Sequence, residues 1–148
     1  MKIIGTVLFQ VFMFLSWIHF YWALGGTWAS RVVFPTKDDT IPAKFPGKLP
    51  TILVAVVLMF LAAFYLITSG VIKVNLPTCI STYGLLSIVI IFLLRAIGDF
   101  NYVGVFKKIK DTKFGKNDTK IYSPLSLAIC ILTIILMLKI KLLMPMIK

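Results

Sequence analysis

Apolar residues fill four long stretches of this chain, and short polar segments separate them. The stretches are residues 3–24, 51–72, 76–97 and 124–147. Each holds at least the roughly 20 residues that an α-helix needs to cross the hydrocarbon layer of a bilayer. Helix breakers mark the boundaries, since Gly25 and Gly26 follow the first stretch and Pro50 and Pro77 stand near the starts of the next two. The pattern predicts an all-α membrane protein: a four-transmembrane-helix bundle, in a single domain, with two larger loops on one face.

The fourth stretch needs a separate argument because Lys139 and Lys141 interrupt its apolar run. Lysine stems can carry their charges to a nearby interface, so we favour a tilted or shortened crossing over a surface helix. Ser123 has the form of an N-cap, and Pro124 follows it at the first helical position, where a missing N–H costs least. We therefore predict that the fourth helix begins at Ser123-Pro124.

The first stretch could also be a cleaved signal peptide, because Lys2 precedes it and Thr27-Trp28-Ala29 resembles a processing site. It is longer than the apolar region of a signal peptide, and it ends in a bulky aromatic cluster. We expect it to be retained as the first membrane span.

Composition and charge agree with this class of protein. Hydrophobic residues make up 59% of the chain and the mean hydropathy is +0.98, both above what a soluble domain carries. The net charge of +11 comes from sixteen Lys and Arg against five acidic residues, all of them Asp. The basic residues stand between apolar runs, where they can orient a membrane protein and contact anionic headgroups. We therefore do not expect nucleic acid as a partner.

The distribution of Lys and Arg predicts the orientation of the chain in the membrane. Segments 25–50 and 95–123 hold eleven of these residues, and the other side of the predicted bilayer holds five. The positive-inside rule then places both larger loops in the cytoplasm and both termini outside the cell, in a plasma membrane.

Polar residues gather at one end of the predicted helices, where the first and third helices finish and the second and fourth begin. Arg95 and Asp99 are four residues apart, which predicts an ion pair on one face of a helix. Charged groups near membrane depth are costly unless they are paired or hydrated, which indicates a site; the alternative is that the pair only fixes the depth of its helix. We take six residues as candidate ligand-binding residues and assign no catalytic residue: His19, Trp22, Arg95, Asp99, Tyr102 and Tyr122.

His19 is the only histidine, and no second histidine, glutamate or thiolate lies near it in the sequence. We therefore predict no metal and no other cofactor. A proton carrier or a hydrogen-bond partner for a ligand is the functional interpretation. The alternative is an interfacial ring held by a neighbouring acceptor, beside an aromatic belt formed by Trp17, Tyr21, Trp22 and Trp28.

Three blocks of residues carry a resemblance to a known family. They are His19-x-x-Trp22-Ala23-x-Gly25-Gly26, then Arg95-x-x-Gly98-Asp99 with Gly104 and Phe106, then Phe114-x-x-x-Asp118-x-x-x-Tyr122-x-Pro124-Leu125. In these blocks the chain resembles a family of short bacterial membrane proteins described only as domain of unknown function 3995. The resemblance runs from the first span to the fourth. It implies a four-helix membrane fold and a bacterial source, and it implies no activity.

Three classes of function fit these observations. We rank first a binding module for a lipid headgroup or a small amphipathic molecule, because Arg95 can pair an anionic group while aromatic rings supply apolar contact. A membrane-embedded enzyme acting on a lipid-soluble substrate is the alternative, with His19 or Asp99 as the acid–base group. A transporter subunit ranks third, because the middles of the spans hold few polar residues. The expected partners are the bilayer and such a ligand; homo-oligomerisation and a docked partner protein stay open.

Overall fold

The chain folds into helices joined by short, structured segments. The structure is a computed structural model that describes residues 1–29, Val33, residues 46–99 and residues 101–143. Its helices are α1 (Lys2–Ala23), α2 (Lys48–Thr68), α3 (Thr78–Ile97), α4 (Lys113–Asn117) and α5 (Ser123–Leu143). A π-helical turn, Asp118–Tyr122, joins α4 to α5, and the described part of the chain contains no strand.

Four helical segments are long and apolar enough to cross a membrane. They are α1, α2, α3 and the continuous helix Lys113–Leu142, which combines α4, the π-helical turn and most of α5. Large apolar side chains such as Phe14, Phe60 and Leu94 project from them with most of their surface exposed, as lipid-facing residues do. The predicted all-α, four-span architecture is confirmed, and the protein is a multi-pass membrane protein.

The four helices are held by close packing of small residues and by a shared core. In the antiparallel pair α1 and α2, the Ser16 hydroxyl donates to the Ala55 carbonyl at 2.8 Å. At the other end of this pair Gly5 lies so close to Ser69 that a Cβ on Gly5 would overlap the serine side chain. Small residues of this kind let membrane helices approach closely. The core takes residues from all four segments, among them Leu8, Leu58, Leu85 and Ile129.

Ring contacts and one buried hydrogen bond connect the pairs of helices across the core. The Phe12 ring of α1 packs against Tyr65 of α2 with centroids 5.3 Å apart, and against Phe92 of α3 at 5.4 Å. The Tyr65 hydroxyl pairs with the Thr133 hydroxyl of α5 at 2.7 Å. This bond satisfies the one polar group that a tyrosine brings into an apolar interior.

The ends of the helices differ from the sequence prediction by three residues or more in three places. The first is the start of the second helix, at Lys48 instead of residue 51. The second helix ends at Thr68, four residues before the predicted boundary, because Gly70 with φ +74° turns the chain. The fourth helix begins at Lys113, and Thr112 is its N-cap, accepting a hydrogen bond from the Gly115 N–H at 3.0 Å. The α-helical part of this span, α5, does begin at Ser123, but Ser123 is itself helical, so its predicted role as the N-cap is wrong. The predicted end at residue 147 lies outside the described residues.

Alternating helix directions bring four helix termini to one end of the molecule. The antiparallel pairing of α1 with α2 and the packing of Phe64 against Gly84 orient the first three helices up, down and up. The Cys130 thiol of α5 lies 3.8 Å from the Val89 carbonyl of α3, and these helices also run antiparallel. We call the end where α1 and α3 finish and α2 and α5 start the polar end.

Candidate functional site

A fully buried carboxylate, Asp118, lies at the centre of the polar end. Its Oδ1 accepts a hydrogen bond from Arg95 Nη2 at 2.9 Å. Its Oδ2 accepts three, from Lys107 Nζ at 2.9 Å, the Gly104 N–H at 2.8 Å and the Ser123 hydroxyl at 3.1 Å. The Asp118 side chain is 0% exposed, and these four donors replace the hydrogen bonds that water would make to its carboxylate.

Lys107 is the second buried charge of this group. Only 2% of the residue is exposed, and its ammonium donates to Asp118, to the Gly104 carbonyl at 3.1 Å and to the Thr119 hydroxyl at 2.7 Å. An ammonium has three N–H donors, so all of them are used inside the protein. Lys107 therefore has a structural part in the group and no donor left for a ligand.

Arg95 is the member of the group that reaches the surface. It is held by one nitrogen, Nη2, while 34% of its side chain is exposed. Its other terminal nitrogen, Nη1, is buried and has no hydrogen-bond partner among the described residues. Two cations face one carboxylate here, so the group of Arg95, Lys107 and Asp118 carries a net positive charge when all three are ionised. We call these three residues the charged triad.

The predicted ion pair between Arg95 and Asp99 is wrong. Gly98, with φ +87°, ends α3 and takes the next residue out of helical geometry, so the four-residue spacing no longer brings the two side chains together. Asp99 is exposed, and its Oδ1 accepts hydrogen bonds from the N–H groups of Asn101, Tyr102 and Val103 at 3.0, 2.7 and 2.9 Å. These donors, Val103 first, lower the pKa of Asp99 below its usual value.

The loop after α3 is folded tightly against the end of that helix. A Cβ on Gly98 would overlap the Val103 carbonyl, and one on Gly104 would overlap the Ile97 carbonyl. The Val105 N–H donates to the Ala96 carbonyl at 2.9 Å and completes the turn. Asp99 organises this loop through the backbone, and the loop in turn presents the Gly104 N–H to Asp118.

His19 and Trp22 make local contacts at the end of α1. The His19 Nδ1 lies 2.7 Å from the Leu15 carbonyl of the same helix, and its ring packs edge-on to Trp22 with centroids 5.1 Å apart. The Trp22 indole N–H donates to the Trp28 carbonyl at 2.8 Å, which fastens the turn after α1. In the part of the chain that the structure describes, His19 has no hydrogen bond or ring contact with Arg95 or Asp99.

Of the two candidate tyrosines, Tyr102 lies between Arg95 and Lys107 in the sequence, and Tyr122 follows Asp118. Tyr102 contributes its N–H to Asp99, and its side chain is half-buried. Tyr122 bonds to the Asn117 side chain and packs on Phe114 with ring centroids 6.1 Å apart. Tyr122 therefore lies in the π-helical turn that also carries Asp118, the partner of Arg95.

The exposed aromatic residues of α1 form a separate feature. Phe14, Trp17, Ile18 and Tyr21 lie on its outer face, and with Trp28 they line an open groove of about 470 Å³. The Trp28 N–H lies 3.4 Å from the Tyr21 hydroxyl, so Trp28 folds back against the helix. Rings at a helix end with this exposure are the arrangement expected of an aromatic belt.

Metal ligands do not cluster in the described residues: no three His, Cys, Asp or Glu side chains lie together there. The oxygen atoms of Asp118 are already occupied by four donors from the protein. Within the charged triad, Arg95 is the member whose side chain is partly exposed.

A family model described as "Protein of unknown function (DUF3995)" matches residues 12–133, a range that contains the three sequence blocks. This match covers well over half of the chain. The chain belongs to the DUF3995 family. Among curated proteins and among solved structures, none matches it. Of the residues in the three sequence blocks, Arg95, Gly98, Asp99, Gly104 and Asp118 make contacts at the polar end.

Two residues of the charged triad were not among the candidate site residues. Asp118 belongs to the third sequence block, and that block was the signal that could have identified it. Lys107 stands beside Lys108 in a lysine-rich segment, and nothing local distinguishes the buried lysine from the exposed one. Both were missed because the candidates were sought at the ends of the predicted helices, whereas the folded loop after α3 sets the contacts.

Proposed function

We propose that this DUF3995 protein is a binding module for a small amphipathic molecule with an anionic head, such as a lipid, and that Arg95 receives the anionic group. The observation that supports this proposal is the state of Arg95. One nitrogen is fixed on Asp118, the other terminal nitrogen has no partner among the described residues, and a third of the side chain is exposed. A buried donor without an acceptor is costly, and an anionic oxygen would relieve that cost.

The guanidinium group suits an anion better than a neutral ligand. Its planar fork can offer two parallel N–H donors to a phosphate or a carboxylate, and such charge-assisted hydrogen bonds are about twice as strong as neutral ones. The net positive charge of the triad acts in the same direction, since Asp118 is shared by two cations. Exposed lysines in the surrounding segment add to the positive potential.

In this proposal Lys107 and Asp118 hold Arg95 in place. Lys107 and Asp118 are buried and saturated with hydrogen bonds, so they make a rigid support. A guanidinium that is fixed in advance loses less conformational entropy when it binds. Tyr122 is the aromatic residue that we assign to the ligand beside Arg95. His19, Trp22 and Asp99 support the helix ends in this proposal.

Binding of short-chain anionic lipid tests the proposal. We would titrate the purified full chain with dihexanoyl phosphatidic acid and with dihexanoyl phosphatidylcholine, and measure affinity by native mass spectrometry. Arg95→Gln should weaken phosphatidic acid binding about tenfold or more, because charge-assisted hydrogen bonds are lost. Arg95→Lys should retain part of the affinity, since it keeps the charge and loses the fork.

The matched control is Lys108→Gln, which removes one positive charge from an exposed residue of the same segment. This variant should bind phosphatidic acid as the unchanged protein does. Equal affinities for the unchanged protein and Arg95→Gln would overturn the proposal. So would a loss of the same size in Arg95→Gln and Lys108→Gln, because that would indicate attraction by general charge alone.

A further inference from the structure

One exposed face runs the whole length of the fourth helical segment. Its positions are separated by three or four residues throughout, which is the spacing of residues on one side of a helix. All of them are exposed: Lys113, Lys116, Lys120, Pro124, Leu127, Ile131, Ile135 and Leu138. The face is cationic along its first part and apolar along the rest.

The opposite side of the same segment is buried in the protein. Phe114 and Asp118 are enclosed at the polar end, and Ile129, Thr133 and Leu136 are enclosed in the core. The buried side fixes how the segment is rotated. The lysine face is therefore directed away from the protein, on the surface that the apolar part of α5 shares with lipid.

The lysines lie at the level of the lipid headgroups if Leu127 and Ile131 lie against acyl chains. With a rise of 1.5 Å per residue, Lys120 is about 6 Å and Lys116 about 12 Å beyond Pro124 along the axis. The headgroup region of one leaflet is roughly 5 to 8 Å thick, and lysine side chains can extend along the helix to reach it. One lipid molecule can thus contact the apolar and the cationic parts of the face together.

We propose that this face of the fourth helical segment binds a lipid with an anionic headgroup. Lys116 and Lys120 contact the phosphate, and Leu127 and Ile131 contact an acyl chain. The charge of the lysines selects an anionic over a zwitterionic lipid, by about fivefold for each lysine near the surface. This site lies on the outside of the segment, on the side opposite Asp118, so it is separate from the site proposed at Arg95 and does not depend on it.

Lipid preference in a charge-matched pair of variants tests this second site. The full chain would be purified in a mild detergent with an equal mixture of long-chain phosphatidylglycerol and phosphatidylcholine, and the lipids that stay bound would be identified by native mass spectrometry. Lys116→Gln with Lys120→Gln removes two charges from the face. The preference for phosphatidylglycerol should fall by about twenty-five-fold, two lysines at fivefold each.

The control is Lys108→Gln with Lys110→Gln, which removes two exposed charges from the same end of the protein but not from this face. This control should keep the preference for phosphatidylglycerol. An equal fall in both double variants, or no fall in either, would overturn the inference. Inorganic phosphate at the same concentration should not displace the lipid, since the acyl contacts are required; displacement would contradict them.

Arg95→Gln separates this inference from the proposed function. It should keep the preference for long-chain phosphatidylglycerol, because the face does not include Arg95. Loss of the preference in Arg95→Gln, with no loss in Lys116→Gln with Lys120→Gln, would place the anionic lipid at Arg95 and overturn the second site.

Discussion

Arg95 and Asp118 stand 23 residues apart in the sequence, and their side chains meet at 2.9 Å. This contact ties the end of α3 to the π-helical turn before α5. It also joins the second and third of the sequence blocks, which are unconnected when the sequence is read alone. Lys107 lies between them and closes the group from the loop side with a second 2.9 Å contact to the same carboxylate.

Replacing Asp118 with Asn should destabilise the protein strongly. The change would leave Lys107 buried without its counter-ion, and losing one partner of a buried ion pair costs about 3–5 kcal/mol. Thermal unfolding in detergent should show a large fall in midpoint. Asp111→Asn is the matched control, because Asp111 is an exposed aspartate just before the fourth helical segment. Similar midpoints for the two variants would contradict the structural part assigned to Asp118.

Gly104→Ala should also destabilise the fold, by more than the roughly 1 kcal/mol that strain at a positive φ usually costs. At φ +92° an added Cβ would overlap the Ile97 carbonyl, and the Gly104 N–H would move away from Asp118. Gly70→Ala has a similar φ of +74° with open space around it, so it measures the strain alone. If Gly70→Ala lowers the unfolding midpoint as much as Gly104→Ala does, the close approach has no energetic importance.

Asp99 should contribute stability that depends on pH. Its pKa is lowered in the folded state, chiefly by the Val103 N–H, so the folded protein binds a proton less readily than the unfolded chain does. The contribution is therefore present above the unfolded pKa of about 4 and is lost as the pH falls through the lower folded value. Unfolding midpoints of the unchanged protein and of Asp99→Asn should differ at pH 7 and converge in acid. A difference that is constant between pH 7 and pH 3 would show that Asp99 does not act through its charge.

The fold could be predicted from the sequence because lipid imposes a length and a composition on every crossing. The first and third helices match the predicted stretches within two residues at each end. The start of the fourth was missed for a local reason. Thr112 is also a good N-cap, and a π-helical turn lets the helix continue through Pro124, whose missing N–H would break an ordinary turn.

The contacts at the polar end could be predicted only in part. Arg95 and the membrane end that carries it were identified, since a cation at the end of an apolar run is visible in the sequence. The partner of Arg95 was not, because Gly98 redirects the chain and replaces a local contact by a distant one. Nothing in the neighbourhood of Lys107 indicates its burial, which results from its contacts with Gly104, Asp118 and Thr119.

The position of Asp118 in the fourth helical segment has a consequence for assembly. Arg95 and Lys107 precede it in the chain, and their shared counter-ion reaches them only when the fourth helical segment packs against the end of α3. Before that contact forms, both cations depend on water and headgroups for compensation. Neutralisation of the two cations therefore coincides with the pairing of the last two spans.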